Sequence, residues 1–310
     1  MKIVALAGGV GGAKLAHGFS KILPPDSFSV IVNTGDDFNH YGLAISPDID
    51  TVCYTLAEES NPATGWGRKG ETFNVLNSLR DIKAPDWFML GDKDLAVHLE
   101  RTRLLAEGYS LSEITERISR KLGVKHAILP MTDCRVRTIV NTQECGELPF
   151  QEYFVKQQFS LKTIGFRFDG IEKAKPTSSV SNHLMQADLI VICPSNPFVS
   201  INPIISLPGV REILKQKFVV GVSPIIGGKA VKGPLGRMLE EQRMEVDSQS
   251  IIEIYKDFLN VFIIDEMDSI DSHTELGFSI MIYKEKILLP DIESRIELAS
   301  KIIQIYENKE

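Results

Sequence analysis

The sequence predicts an α/β fold with a mostly parallel sheet flanked by helices. Three observations carry that expectation. The apolar runs are short and continuous rather than alternating, as in KIVALA (2–7), ADLIVIC (187–193) and KFVVGV (217–222), which suits strands covered on both faces. Segments with helical periodicity separate these runs. The chain also opens strand, glycine turn, helix, strand, the order of a βαβ unit.

In chain order, KIVALA is the first strand, followed by Gly8, Gly9, Gly11 and Gly12 and a helix that ends before Pro24-Pro25. FSVIVNT (28–34) is the second strand. Residues 35–50 read as a long polar loop holding Asp36, Asp37, His40, Asp48 and Asp50, and such loops inside a compact domain are functional or disordered. Helical patterns then dominate to about residue 123, with Leu95, Leu99, Thr102 and Ala106 on one face of one helix. Ser110 and Glu113 form a capping box opening a helix with Leu111, Ile114, Ile118 and Leu122 on its inner face, stopped by Gly123. Strands return at HAILPM (126–131), VRTIV (136–140), VFIID (261–265) and FSIMIY (278–283). Pro290 introduces a last helix with Ile292, Ile296, Ala299, Ile303 and Tyr306 on one stripe. A single domain spanning 1–310 is expected, with residues of about 51–123 as a helical insertion.

Composition narrows the function. The 310 residues carry 34 Lys and Arg against 41 Asp and Glu, a formal net charge of −7, which argues against a protein that coats nucleic acid or an anionic membrane. No run approaches the roughly 18 apolar residues of a spanning helix, and the apolar N-terminal run is too short for a signal peptide. Cys53, Cys134, Cys145 and Cys193 form no C-x-x-C pair, as expected of free thiols in a reducing cytosol.

In open α/β sheets ligands bind beyond the carboxyl ends of the strands, and three such ends carry small or polar residues. Gly8-Gly9-Val10-Gly11-Gly12-Ala13-Lys14 lets backbone amides approach a phosphate at a helix N-terminus, or it is simply a tight turn. It fits neither a Walker A loop nor a dinucleotide fingerprint, because Lys14 stands where the third glycine is needed. Asp36, Asp37, Asp48 and Asp50 put four carboxylates within 15 positions, suited to Mg²⁺ shared with substrate phosphates or to an acidic surface loop capping a helix that starts near Thr51. Cys193-Pro194-Ser195-Asn196-Pro197 is a rigid polar turn able to hold a base edge or phosphate, or to bond only with itself. Gly227-Gly228-Lys229 and Lys232-Gly233-Pro234 add cations in a further loop.

Trp66, flanked by Gly65 and Gly67, offers an indole that stacks on a flat ring or plugs a local gap. Gly91-Asp92-Lys93-Asp94 reads as an ordinary helix start with acidic residues in its first turn. His98 and His126 read as structural, since the six histidines show no zinc spacing. No G-x-S-x-G elbow supports acyl transfer on a serine.

Longer blocks make the pattern specific: AGGVGGAKL (7–15), NTGDDFNHYGLAISPDIDTVCYTL (33–56), GWGRKGETF (65–73), WFMLGDKDLAVHLERT (87–102), LPFQEYFV (148–155), ICPSNPFVSINPI (192–204) and SPIIGGKAVKGP (223–234). The chain resembles the CofD family, the phospholactate or phosphoenolpyruvate transferases of deazaflavin coenzyme F-420 biosynthesis, over essentially its whole length. The resemblance implies a Rossmann-like core with an inserted helical region, a cytoplasmic homodimer, and Mg²⁺. It implies transfer of a phospholactyl-type group from a guanosine diphosphate donor to the deazaflavin FO, releasing GMP. Gly9, Gly11, Gly12 and Lys14 would line the donor phosphates, and Ser195 and Asn196 would lie near the guanosine. Asp36 and Asp50 would hold Mg²⁺ and carry catalysis, while Asp50, Trp66 and Lys93 would face FO. Two positions depart from the family pattern. Cys134-Arg135 stands where an acid and a proline are expected before Val136, and Asn202 stands where a glycine is more usual. A non-catalytic nucleotide-sugar sensor of the same core, which would release no GMP, and an NAD(P)-dependent oxidoreductase are the alternatives.

Overall fold

A computed structural model describes residues 1–231, 233–270 and 280–309. The chain runs β1 (Ile3–Ala7), α1 (Gly9–Ile22), β2 (Phe28–Val32), a hairpin of β3 (Phe38–His40) and β4 (Leu43–Ile45), then α2 (Pro47–Leu56), α3 (Asn74–Asp81), α4 (Asp92–Ala106) and α5 (Leu111–Lys121). After β5 (Ala127–Pro130) come β6 (Arg137–Thr142), β7 (Gly146–Pro149) and β8 (Thr163–Asp169), then α6 (Ser178–Gln186), β9 (Leu189–Ile192), α7 (Asn202–Ile205), α8 (Val210–Leu214) and β10 (Phe218–Val222). The remainder is a short hairpin of β11 (Ile225–Ile226) and β12 (Lys229–Ala230), α9 (Leu235–Glu241), α10 (Ser248–Tyr255), β13 (Val261–Asp265), β14 (Met281–Glu285) and α11 (Ile292–Glu307).

Among the described residues the main sheet has seven strands, all parallel, ordered β14-β13-β10-β9-β1-β2-β5. This is the Rossmann-like α/β architecture. The order reverses at β1: Ile3 pairs with Phe28 of β2 on one side and with Leu189 of β9 on the other. Strand alternation divides the core. Ile3, Ala5 and Ala7 face α1, α2 and α11, while Val4 and Leu6 face the layer containing α6 to α10. Both faces are therefore covered, which is why these strands read as unbroken apolar runs. β6, β7 and β8 form a separate antiparallel sheet over a small core of Val140, Phe150, Tyr153, Val199 and Met238.

Several sequence expectations change. Residues 35–50 are not one loop: β3 and β4 form a hairpin, and α2 starts at Pro47, with Asp48 and Asp50 in its first turn. The proline fits because the first helical amide needs no partner. VRTIV belongs to the small sheet and not the main one. α4 buries Val97, His98, Arg101 and Leu104, and leaves Leu99 exposed, so its inward face is partly polar and escaped a purely apolar periodicity. α11 buries Leu298, Ala299, Ile302 and Ile305, with Ile303 and Tyr306 at the margin. In the FSIMIY run, Phe278 and Ser279 lie outside the described residues and the strand begins at Met281. The capping box at Ser110 is present, and Gly123 ends the following segment at φ 89°.

α1 and α11 pack with almost no space between backbones. A Cβ on Gly18 would collide with the Arg295 carbonyl oxygen. One residue earlier, Arg295 Nη1 donates to His17 Nδ1 at 3.0 Å, which fixes that ring nitrogen as an acceptor. Burial, then the Lys21 and Arg295 charges, push the His17 pKa down from 6.5 to about 4.

Two outcomes follow from this helix pair. Gly18→Ala gains about 1 kcal/mol of helix propensity but forces the backbones apart at about 1–3 kcal/mol, so it lowers the urea midpoint. The His17 contribution to stability is fully present above pH 6.5 and is lost as the pH falls toward 4, because the unfolded chain takes up a proton that the folded chain refuses. Urea titrations across that window show a falling midpoint, and His17→Gln flattens the fall; an unchanged slope in the variant would assign it to other groups.

Candidate active site

The turns leaving β1 and β9 meet at the point where the strand order reverses, the place where open α/β sheets bind ligands. Ser195 Oγ donates to the Gly8 carbonyl at 2.8 Å and accepts from the Gly8 amide at 3.3 Å. A Cβ on Gly11 would strike the Pro194 carbonyl oxygen, and one on Gly12 would strike Ser195 Oγ. These glycines are therefore set first by the packing of two turns. Gly9, at φ 61°, donates its amide to Asp48 Oδ1 at 2.7 Å, and the carboxylate sits favourably at the α1 N-terminus. The Gly9 amide is thus already used, whereas Val10, Gly11 and the half-buried Lys14 line the adjacent cavity. Asn196 caps the turn Pro197–Ile201 by accepting from the Phe198 amide at 3.0 Å.

Asp48 also accepts from Asn33 Nδ2 at 2.9 Å, which ties α2 to the end of β2. Asp36 and Asp37, in the turn after β2, are buried, and each has an oxygen, Oδ1, without a hydrogen-bond partner. Burial, with Asp48 next, holds the Asp36 carboxyl well above the usual range. Burial pushes Asp37 up to about 7 against the opposing pull of Arg137, and Asp48 up to about 6 against its bonds from Asn33 and Gly9. Such displaced carboxylates in a cleft mark a functional site.

Asp50 has a different environment. Arg101, fully buried on α4, makes a two-pronged ion pair with it, one prong being Nη1 to Oδ2 at 3.0 Å and the other Nη2 to Oδ1. Burial alone would lower the Arg101 pKa, and the charge and hydrogen bonds of Asp50, together with the Tyr54 and Asp37 charges, more than offset it. Arg101 Nη1 also donates to His98 Nδ1 at 3.1 Å, so the ring proton lies on Nε2, 3.4 Å from Asp94 Oδ1. Tyr54 donates to that same oxygen at 2.6 Å. Among the described residues, Asp50, Asp94 and His98 bring possible metal-ligand atoms within 4.8 Å of one another. Their imidazole, however, presents opposite nitrogens to the two carboxylates, and a guanidinium already neutralises Asp50.

α4 is held by an exchange of caps. Glu71 accepts from the Lys93 and Asp94 amides at 2.8 Å each, while Asp92 accepts from Asn74 and Val75 at the α3 N-terminus. Gly91 has no space for a side chain, because a Cβ would overlap Glu71. The GWGRKGETF and WFMLGDKDLAVHLERT blocks are thus one interlocked unit.

A cavity of about 760 Å³ opens over these groups. Its lining brings together Gly9, Gly11, Lys14, Asp36, Asp50, Trp66, Ser195 and Asn196 from the sequence-derived set. It does not include Gly12, which lies beneath Ser195, or Lys93, whose Nζ donates to the Lys69 carbonyl at 2.9 Å. Different neighbours act on Asp36 and Asp50: Asp48 and Asp37 on the first, Arg101 and His98 on the second. Lys232 lies outside the described residues. Sequence reasoning missed Tyr54, Asp94, His98, Arg101 and the aromatic wall of Trp87 and Phe88. The available signal was spacing: Asp50 and Tyr54 share one face of α2, and Asp94, His98 and Arg101 share one face of α4.

Fold and site together define a Rossmann-like α/β protein with a small-molecule cavity at its switch point. The family model described as 2-phospho-L-lactate transferase CofD matches residues 3–279. A "2-phospho-L-lactate transferase" of Methanococcoides burtonii is 37% identical over 306 residues, covering 99% of this chain and 100% of the relative. A "Phosphoenolpyruvate transferase" of Thermobifida fusca is 41% identical over 282 residues, covering 87% and 88%. The chain belongs to the CofD family and is a transferase. Protein BH3568 of Bacillus halodurans, known from its crystal structure, shares the fold, with a TM-score of 0.66 over 97% of this chain and 99% of that one at 14% identity.

The buried Asp50–Arg101 pair gives a stability test. Arg101→Met leaves a buried carboxylate uncompensated and costs about 3–5 kcal/mol, whereas Arg101→Met with Asp50→Asn costs less than Arg101→Met alone. Urea unfolding of both variants checks this, and a double variant less stable than the single one would contradict it.

Proposed function

We propose that the protein transfers a phospholactyl or phosphoenolpyruvyl group from a guanosine diphosphate donor to the terminal ribityl hydroxyl of the deazaflavin FO, releasing GMP, in coenzyme F-420 biosynthesis. The observation that carries this reading is one large cavity whose lining combines two unlike sets of groups. The first set is glycine-loop amides, Lys14 and buried carboxylates, and the second is Trp66, Phe88 and Met89. A nucleotide diphosphate suits the first and a flat ring the second. The insertion of about 51–123 supplies the second set, and Trp66, 44% exposed, is free to turn toward a ring.

In this reaction the acceptor oxygen bonds to the phosphorus that bears the three-carbon acid. The bond from that phosphorus to the bridging oxygen breaks, and GMP leaves with the electron pair. Such displacements need in-line positioning and charge neutralisation more than a covalent intermediate. The residues fit a divalent cation such as Mg²⁺ at Asp36, whose unpartnered buried oxygen suits a hard cation; when bound there, it supplies neutralising charge for the diphosphate. Asp50 contributes as a second carboxylate of the same cavity, its orientation fixed by Arg101. Either carboxylate accepts the proton of the acceptor hydroxyl. The four cysteines are free, in keeping with a cytoplasmic protein, and no helix among the described residues is long and apolar enough to cross a membrane. The resemblance that supports this reading also implies a homodimer.

Incubation with FO, Mg²⁺ and guanosine diphosphate donors carrying lactate, enolpyruvate or glycerate, followed by mass spectrometry, tests the reading. It expects a phosphodiester product and stoichiometric GMP from at least one donor, whereas binding without GMP release would make the protein a sensor. Asp36→Asn and Asp50→Asn each lower kcat by roughly 100-fold or more with little change in nucleotide affinity. Only Asp36→Asn raises the Mg²⁺ concentration needed for half-activation by a large factor; near-normal rates in both would remove the carboxylate proposal.

A further inference from the structure

A second, smaller cavity of about 250 Å³ lies beside the large one, and Asp36, Trp87 and Phe150 line both. It is too small for a nucleoside or a flavin, yet it holds several times the roughly 30 Å³ of a water molecule. Its polar lining is the turn holding Asp36 and Asp37, the arginines Arg135 and Arg137, and Asn39, Thr138, Gln151 and Glu152. Arg135 lies just before β6 and Arg137 is its first residue, and both line this cavity. The start of β6 is locked onto the carboxylate turn. The Thr138 amide donates to the Gly35 carbonyl at 2.7 Å, and a Cβ on Gly35 would meet Thr138 Oγ1 at 2.6 Å.

The two guanidinium groups are unequal. Arg135 is exposed and pairs with Asp169 at 2.9 Å. Arg137 is half-buried, and its one hydrogen bond among the described residues runs from Nη1 to the Val136 carbonyl at 2.7 Å. The remaining donors of its fixed fork have no such bond, although Asp36 and Asp37 attract its charge. A guanidinium in that setting is matched to a carboxylate.

The proposed donor places a carboxylate next to this spot. In a 2-phospholactyl, phosphoenolpyruvyl or 2-phosphoglyceryl group, the carboxylate is attached to the carbon that bears the ester oxygen of the reacting phosphorus. It therefore stays within a few bonds of the reaction centre. With the guanosine and the acceptor ring occupying the large cavity, the space adjoining Asp36 from the other side is left for the acid. Resting on the transferase reading, we propose that the smaller cavity holds the three-carbon acid of the donor, with Arg137 binding its carboxylate and the Trp87 and Phe150 side chains contacting the carbon that distinguishes one acid from another. Arg137 is then a specificity-determining residue, reading the part of the donor that GDP lacks.

The test compares the full donor with GDP, by calorimetry in Mg²⁺ without FO and by initial rates with FO. Arg137→Gln weakens donor binding roughly 30-fold or more, the cost of removing one partner from a desolvated charge pair, and leaves GDP affinity unchanged. Arg137→Lys keeps the charge near Asp36 and Asp37 but loses the fork, and its donor affinity falls between those of the wild type and Arg137→Gln. Equal weakening toward donor and GDP, or unchanged donor affinity in the Lys variant, overturns the assignment. The binding comparison needs no turnover. A wild-type protein that binds donor more tightly than GDP through Arg137 but releases no GMP therefore supports the acid site while overturning the transferase reading alone.

Discussion

Everything at the site hangs on how closely the turns after β1 and β9 approach each other. Neighbouring parallel strands lie about 4.8 Å apart, so turns leaving the same end of adjacent strands collide unless one lacks side chains. Here Gly8, Gly11 and Gly12 yield the space, and the Ser195 hydroxyl binds both polar atoms of Gly8. Asp48 then attaches α2 to this joint through the Gly9 amide, and Asn33 attaches the end of β2 through Asp48. Three strand ends and a helix are fixed relative to one another before any ligand enters. Such preorganisation is what a displacement at phosphorus requires.

Burying carboxylates at that joint is costly, and the chain offsets the cost in two ways. Asp50 is matched to Arg101 in fixed two-pronged geometry, with His98, Asp94 and Tyr54 extending the network. Buried charge pairs add little net stability over apolar substitutes, so the value of this one lies in orientation. Asp36 is left with an unpartnered oxygen. A folded protein tolerates that where a ligand completes the group. The two aspartates, alike in sequence, thus occupy unlike environments: one is set in place and the other is open.

The parallel sheet was legible because burial on both faces leaves unbroken apolar runs, and β1, β2, β9, β10 and β13 all read that way. The cap at Ser110 was legible because its chemistry is local. The hairpin of β3 and β4 was not, since its six strand residues include polar Asn39 and His40 and depend on packing against Trp87 and Phe88. α4 misled because its buried face carries His98 and Arg101, which an apolar count scores as solvent-facing. The Lys93 ammonium donates to the Lys69 carbonyl, a partner 24 positions away that leaves no local signal. Contacts that depend on partners far along the chain leave no period in the sequence.

The division of labour between sheet and surroundings follows from the same geometry. BH3568 shares the fold at 14% identity, and a shared fold does not carry a shared chemistry. In this chain the glycine turn and the Ser195 turn are joined through the Ser195 hydroxyl and Gly8, and in the proposed reaction their part is to present amides to a phosphate. Discrimination between acceptors or acids therefore has to come from elements outside the main sheet. Those elements are the interlocked α3 and α4 segment with Trp87 and Phe88 at its side, and the small antiparallel sheet that carries Arg137 to the Asp36 turn. In the proposed reaction the first would read the acceptor and the second the acid, and Trp87, which lines both cavities, is where the two walls meet.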